Sequence, residues 1–436
     1  MKYFFRNIEV ELLQWKNEKE HFPLVIRGAR QVGKSSVVRE FGKRFEHFLE
    51  INFEIFPEAA KIFEKDLVPQ RICQELSLIF NVPVEAGKTL LFFDEIQASI
   101  PAISSLRFFY EQMPDLHVIA AGSLLEFALE ELPSFGVGRV RSLYLYPFSF
   151  DEFLNAMNEK ILMRAIANSS PENPLPDVVH SKALTLYKRF LIVGGMPKVV
   201  SYYAETGDLL KCRQMLDSLI DAYQDDFVKY RKRISAFMLL EVFRAVVRQN
   251  GGKFAYSKAT PELNTLQVKI CLELLTKAGL IFPVTHTSAN GLPLGAEANP
   301  KFRKYFLFDT GIFHRLLHLD LSDMLLNNDF ETMNKGAIAE VFTGLELLKS
   351  STNRTELFYW QRETKNSQAE VDFLWQKQRI VLPVEVKSGK KGSMQSLFLF
   401  LEEKQLDKGI RVSQENFGKY EKIDVYPLYA VRNIVK

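Results

Sequence analysis

The first third of the chain alternates short apolar runs with stretches of helical periodicity. The runs are PLVIRG (23–28), HFLEINF (47–53), TLLFFDE (89–95), HVIAAGS (117–123) and VRSLYLY (140–146), with SSVVREFGKRF and SSLRFFYEQM among the stretches between them. Such alternation predicts a parallel α/β sheet, and runs without a polar alternate predict strands covered on both faces.

The pattern then changes. PFSFDEFL reads as a turn entering a helix, SSPENPLPD (169–177) as a linker, and SKALTLYKRFLIVGGMPKVV as a helix ending at Gly194-Gly195 with Pro197 beyond. We read 151–205 as a helical lid on a core of residues 1–150. Residues 206–325 give helix, turn, helix and then an apolar ribbon ending in KYFLFD, the order of a winged helix-turn-helix. From 326 to 436 the helix GAIAEVFTGLELLKS precedes three strand-like runs, LFYWQRE, AEVDFLWQ and RIVLPVEVKSG, then a helix and a closing strand near 423–430.

Composition narrows this little. Of 436 residues, 47% are hydrophobic and 25% charged, which excludes a disordered or fibrous chain, and 36 Phe supply ample core. A net charge of +3 implies no polyanion partner by itself. Cys73, Cys212 and Cys271 lie too far apart for a disulfide framework or a zinc site. Glu9 and Glu11 interrupt the segment where a signal peptide needs its apolar stretch, and no run approaches a membrane span, so a cytoplasmic protein without membrane contact is expected.

The candidate chemistry begins with GARQVGKS, which fits G-x-x-x-x-G-K-[ST] and sits after an apolar strand and before a helix. Gly28, Ala29, Arg30, Gln31, Val32, Gly33, Lys34, Ser35 and Ser36 are expected to cradle the phosphates of ATP. Backbone N–H groups and a helix N-terminus face the anion there. Lys34 is expected at the β- and γ-phosphates and Ser35 on Mg²⁺. Asp94, ending the strand of TLLFFDEIQ, completes the Mg²⁺ shell, and Glu95 orients the attacking water. Ser123, ending IAAGS, is a candidate contact to the γ-phosphate or that water. Arg139, ahead of Arg141, is a candidate arginine finger offered to a neighbouring subunit of a homo-oligomer.

GARQVGKSS, LLFFDEIQ, AAGS, GRVRSLYLYPFSFDEF and GGMPKVV resemble the AAA-type P-loop ATPase family of bacteria and archaea that carries a C-terminal domain of unknown function. The resemblance spans nearly the whole chain. It implies an α/β fold with an AAA-like five-stranded parallel core, a helical lid, a winged helix and a domain related to the PD-(D/E)XK restriction-endonuclease-like nucleases.

The last domain holds its own constellation: Glu340 on the opening helix, Asp372 on the second strand, and Glu385 and Lys387 on the third. Residues two apart share one strand face, so Glu385 and Lys387 are expected to converge on Asp372. Asp372 and Glu385 are read as ligands of one or two Mg²⁺ ions, Lys387 as the group that positions or deprotonates water, and Glu340 as completing the shell. The nuclease-like pattern is retained at all four positions.

Lys269 and Lys277, with KYRKR (229–233) and KFRK (301–304), are candidate contacts to the phosphates of double-stranded DNA, although Glu273 shares the helix of the first two. His314 and His318 lie four apart without a third ligand and read as an ordinary helix pair. Two functions fit. One is an ATPase coupled to a DNA-binding, DNA-cleaving C-terminal half. The other is a nucleotide-switched signalling or scaffold protein that binds a protein partner and cleaves nothing.

Overall fold

The computed structural model describes residues 2–129, 138–230, 234–318, 335–351, 356–362, 369–389 and 392–435. Residues 231–233 of the basic cluster KYRKR lie outside them. The chain divides into two compact units, one built on residues 2–146 and the other on residues from 147 to the C-terminus.

The first unit is an all-parallel sheet of β1 (Leu24–Arg27), β2 (His47–Asn52), β3 (Thr89–Asp94), β4 (His117–Ala121) and β5 (Arg141–Tyr144), in the order β2-β3-β4-β1-β5. Each strand falls inside a run predicted above. Every residue of β3 and β4 is buried, as runs without polar alternates require. The helices Lys34–Gly42 and Ile100–Gln112 follow β1 and β3; the second is capped by Ser99, whose side chain accepts from the Ala102 N–H. Trp15, fully buried, fixes the N-terminal helix Ile8–Lys16 and lies edge-on to His117, with ring centroids 5.1 Å apart. His117 in turn stacks on His21 at 3.8 Å.

The second unit begins with a capping box, Ser149 with Glu152, that starts the helix Phe150–Ala156. The helix Asp177–Val193 does end at Gly194-Gly195. There Asp309 Oδ2 accepts from the Gly195 N–H at 2.6 Å, while Asp309 Oδ1 caps the helix Thr310–Leu316 through the Ile312 N–H. Residues 151–205, expected as a helical lid, fall within the second compact unit. The Ala236–Arg248 and Thr265–Lys277 helices precede a hairpin of β6 (Ile281–Thr287) and β7 (Ala298–Leu307).

This hairpin is not an independent wing. β6 pairs in parallel with β8 (Leu357–Gln361), so the segment expected to end at 325 and the one expected to begin at 326 share a sheet. The sheet continues through β9 (Glu370–Lys377), β10 (Ile380–Val386), β11 (Gly409–Ser413), β12 (Gly418–Tyr420) and β13 (Ile423–Pro427), in the order β12-β13-β11-β10-β9-β8-β6-β7. The sequence reading missed β11 and β12, because a buried parallel strand and a three-residue edge strand carry little periodicity. The helix Lys335–Lys349 presses closely on β7. A Cβ on Gly344 would meet the Phe306 ring at 2.6 Å, so only glycine permits that approach.

Candidate functional site

The phosphate loop leaves β1 through Gly28 (φ 141°), and a Cβ there would lie 2.1 Å from the Leu145 carbonyl oxygen. Gly33 (φ 96°) then starts the helix Lys34–Gly42, which turns its N-terminal N–H groups toward the loop. Between them Ala29 and Val32 are buried and Arg30 and Gln31 exposed, and Ser36, in the helix, is exposed as well. Lys34 Nζ, nearly buried, donates to the carbonyls of Gly28 and Ala29, each at 2.9 Å. Burial draws the Lys34 ammonium down to about 8, against the pull of Glu95 and Asp94.

The expected partners converge on the loop. Ser35 Oγ donates to Asp94 Oδ1 at 2.9 Å, and Asn52 Nδ2 donates to Asp94 Oδ2 at 3.1 Å. Burial raises the Asp94 carboxyl above its usual range, opposed by the Ser35 hydrogen bond. A hydroxyl and a carboxylate held side by side are the hard oxygen donors that suit Mg²⁺, so the residues fit that ion. Glu95 follows in a left-handed conformation (φ 50°), and Glu95 Oε2 accepts from Gln97 Nε2 at 2.7 Å. Glu95 Oε2 also accepts from the Ser123 N–H and Oγ, each at 3.3 Å, so Ser123 addresses Glu95 directly.

Arg139 and Arg141 do not point to this cluster: Arg139 pairs with Glu111 at 2.5 Å and Arg141 with Glu18 at 2.8 Å. Sequence reasoning missed Arg6. Its guanidinium donates to the Val32 carbonyl at 3.0 Å and the Tyr146 carbonyl at 2.7 Å, tying the phosphate loop to the end of β5. No local motif marks it, because its partners lie 26 and 140 residues away.

In the second unit, Glu340, Asp372, Glu385 and Lys387 are brought together. The Val386 N–H donates to Asp372 Oδ2 at 2.7 Å, and Lys387 Nζ donates to Glu385 Oε1 at 2.6 Å. Two further members were not expected. Glu370, two residues before Asp372, joins Glu340 and Asp372 in a group with one oxygen each within 4.8 Å of one another. Lys304, from β7, donates to Glu340 Oε1 at 2.8 Å and to Glu370 Oε1. This corrects the reading of KFRK at Lys304 alone, whose side chain is wholly buried among carboxylates, whereas Lys301 stays exposed. Gly344 explains the reach: it lies one turn after Glu340 on the helix, as Phe306 lies two residues after Lys304 on β7.

Burial and mutual repulsion dominate the electrostatics. Burial, reinforced by Asp372, raises the Glu340 and Glu385 carboxyls, and Asp372 is itself raised by burial. Burial works against the Lys304 ammonium, yet Glu340, Glu370 and Asp372 hold it above the usual lysine range. Glu385 Oε2 is buried and makes no hydrogen bond among the described residues. A carboxylate set with an orphaned buried oxygen fits a hard divalent cation.

Of the other candidates, Lys277 is tied to Glu273 at 2.7 Å and Lys269 lies over the Tyr256 ring. His314 is buried and pushed down to about 4 by that burial, while His318 is exposed, so the two do not form a ligand pair. Among the described residues no helix is long and apolar enough to cross a membrane.

Comparison with known proteins matches three stretches of the chain. Residues 20–154 match the family described as "AAA domain", residues 184–323 a "Domain of unknown function (DUF8612)" and residues 335–431 a "Domain of unknown function (DUF4143)". An uncharacterized protein of Haemophilus influenzae is 24% identical over 320 residues, 69% of this chain and 70% of that protein. Among solved structures, the Walker-type ATPase PABY2304 of Pyrococcus abyssi is 18% identical, with a TM-score of 0.46 over 73% of this chain and 96% of its own. AMPPCP-bound DnaA from Aquifex aeolicus is 11% identical, with a TM-score of 0.27 over 62% of this chain and 86% of its own. Residues 20–154 are thus similar to an AAA domain, on a parallel sheet whose phosphate loop follows β1.

Proposed function

We propose that the chain is a Mg²⁺-dependent ATPase whose C-terminal half is a metal-dependent phosphodiesterase acting on double-stranded DNA. The observation that carries the first part is the junction of Lys34, the Ser35–Asp94 pair and Glu95 at the carboxyl ends of β1 and β3. Mg²⁺, when bound, neutralises charge on the phosphates. Ser35 and Asp94 would hold it. Lys34 leaves its two loop carbonyls to meet the β- and γ-phosphate oxygens, and the N–H groups of residues 28–36 grip the rest. Glu95 accepts the proton side of the attacking water and aims it, while Ser123 and Gln97 fix its carboxylate. Arg139 is the proposed finger, released from Glu111 toward a neighbouring copy.

The second part is supported by the convergence of Glu340, Asp372, Glu385 and Lys387. A divalent cation bound there would supply an acidified water and a counter-charge for the phosphate. Asp372 and Glu385 would hold it, Glu340 would complete the shell, and Lys387 would position the water. Incubating the full chain with plasmid DNA, MgCl₂ and ATP tests both parts. Lys387→Ala is expected to abolish cleavage with ATP turnover intact, and Lys34→Ala to abolish turnover. An uncut plasmid beside normal ATP hydrolysis overturns the nuclease half alone.

A further inference from the structure

The carboxylate cluster has two distinguishable places for a cation. One lies among Glu340, Glu370 and Asp372, whose oxygens gather within 4.8 Å. The other lies between Asp372 and Glu385, which face each other across β9 and β10 one step beyond the Val384–Phe373 register pair. The first is already served. Lys304 Nζ bonds two of its three carboxylates and is attracted by the third. Its ammonium lies over the Tyr359 ring, 5.1 Å from the centroid. The second place holds the buried Glu385 Oε2, which no described residue satisfies.

We propose that the Lys304 ammonium is the resident cation of the first place, so that the cluster takes a single divalent ion, on Asp372 and Glu385. This rests on the metal-dependent reading of the site given above. Charge balance agrees: Glu340, Glu370, Asp372 and Glu385 against Lys304 and Lys387 leave two negative charges, the complement of one divalent ion. Lys304 also arrives on β7, from a hairpin outside the 335–431 family match. It is therefore a positioning residue that the neighbouring hairpin contributes: it holds Glu340 Oε1 and Glu370 Oε1 and keeps a second ion from the first place, leaving the other Glu340 oxygen to the ion on Asp372 and Glu385. A buried lysine can do this because its charge is fixed by covalent attachment, whereas a bound metal leaves with dilution.

The test counts Mn²⁺ bound to the nucleotide-free full chain by loss of the free-ion electron paramagnetic resonance signal. The variants are Lys304→Met, Lys304→Arg and Asp372→Asn, each checked for folding by circular dichroism. Lys304→Met is expected to bind one more ion per chain than the wild type, and Lys304→Arg the same number. Equal counts in Lys304→Met and wild type overturn the proposal. Should Lys304→Met melt early, its midpoint is compared in EDTA and in MnCl₂: recovery in MnCl₂ supports the proposal, and no recovery overturns it. Asp372→Asn separates the two readings. If its count equals that of the wild type, the metal-dependent reading fails, and the Lys304→Met difference still judges Lys304.

Discussion

Ser123 donates both its N–H and its hydroxyl to one oxygen of Glu95 across the carboxyl ends of β4 and β3. The hydroxyl bond is charge-assisted, and such bonds contribute roughly 1.5–3 kcal/mol. With the N–H bond remaining, Ser123→Ala is expected to lower kcat for ATP by about tenfold while leaving KM unchanged. Steady-state phosphate release checks this. A raised KM with normal kcat places Ser123 in nucleotide binding instead.

Arg6 holds the phosphate loop from outside its own motif, through the carbonyls of Val32 and Tyr146. Arg6→Ala leaves both carbonyls without that donor, and the first unit should lose on the order of 3 kcal/mol. ATP affinity should fall with it, since the loop is no longer tied to β5. Denaturant melts and nucleotide titration of the same variant read the two effects.

His117 is kept neutral, its pKa lowered to about 4 by burial and by the neighbouring His21. The unfolded chain takes up that proton near pH 6.5 and the folded chain does not. Unfolded molecules therefore bind more protons between about 6.5 and about 4, and stability falls as pH falls through that window. Thermal melts at pH 7.5 and 4.5 should show a loss for the wild type that His117→Phe reduces. An equal loss in both removes His117 as the cause.

Glu346, buried on the helix Lys335–Lys349, accepts from the Phe150 N–H through both carboxylate oxygens, at 3.1 and 3.2 Å. This anchors the start of the helix Phe150–Ala156 within the second unit. Glu346→Ala orphans a buried donor and should cost about 2–3 kcal/mol, whereas Glu346→Gln keeps an acceptor and should recover most of it. Urea melts of the two variants measure the difference.

The phosphate loop, Asp94 and Glu95 were legible because their geometry is local: strand, glycine turn and helix are contiguous, and Asp94 ends a run that must be buried. Lys304 was misread for the opposite reason. Along β7 the early residues Pro300 and Lys301 are exposed, and KFRK looks like a solvated cluster. From Lys304 onward four consecutive residues are buried, because the helix Lys335–Lys349 and the next strands close over that end. Glu370 was missed similarly. It begins its strand beside the predicted Asp372, and only the pairing β6–β8–β9 shows that it reaches Lys304. Long-range sheet order leaves little trace in periodicity.

The parallel pairing of β6 with β8 has a consequence for synthesis. Lys304 leaves the ribosome well before Glu340, Glu370 and Asp372, and its side chain has no burial site until they follow. A nascent chain halted between the hairpin and β9 carries an unmatched ammonium on β7 and an open sheet edge at β6. Closing that edge is a late, non-local event of the slow kind.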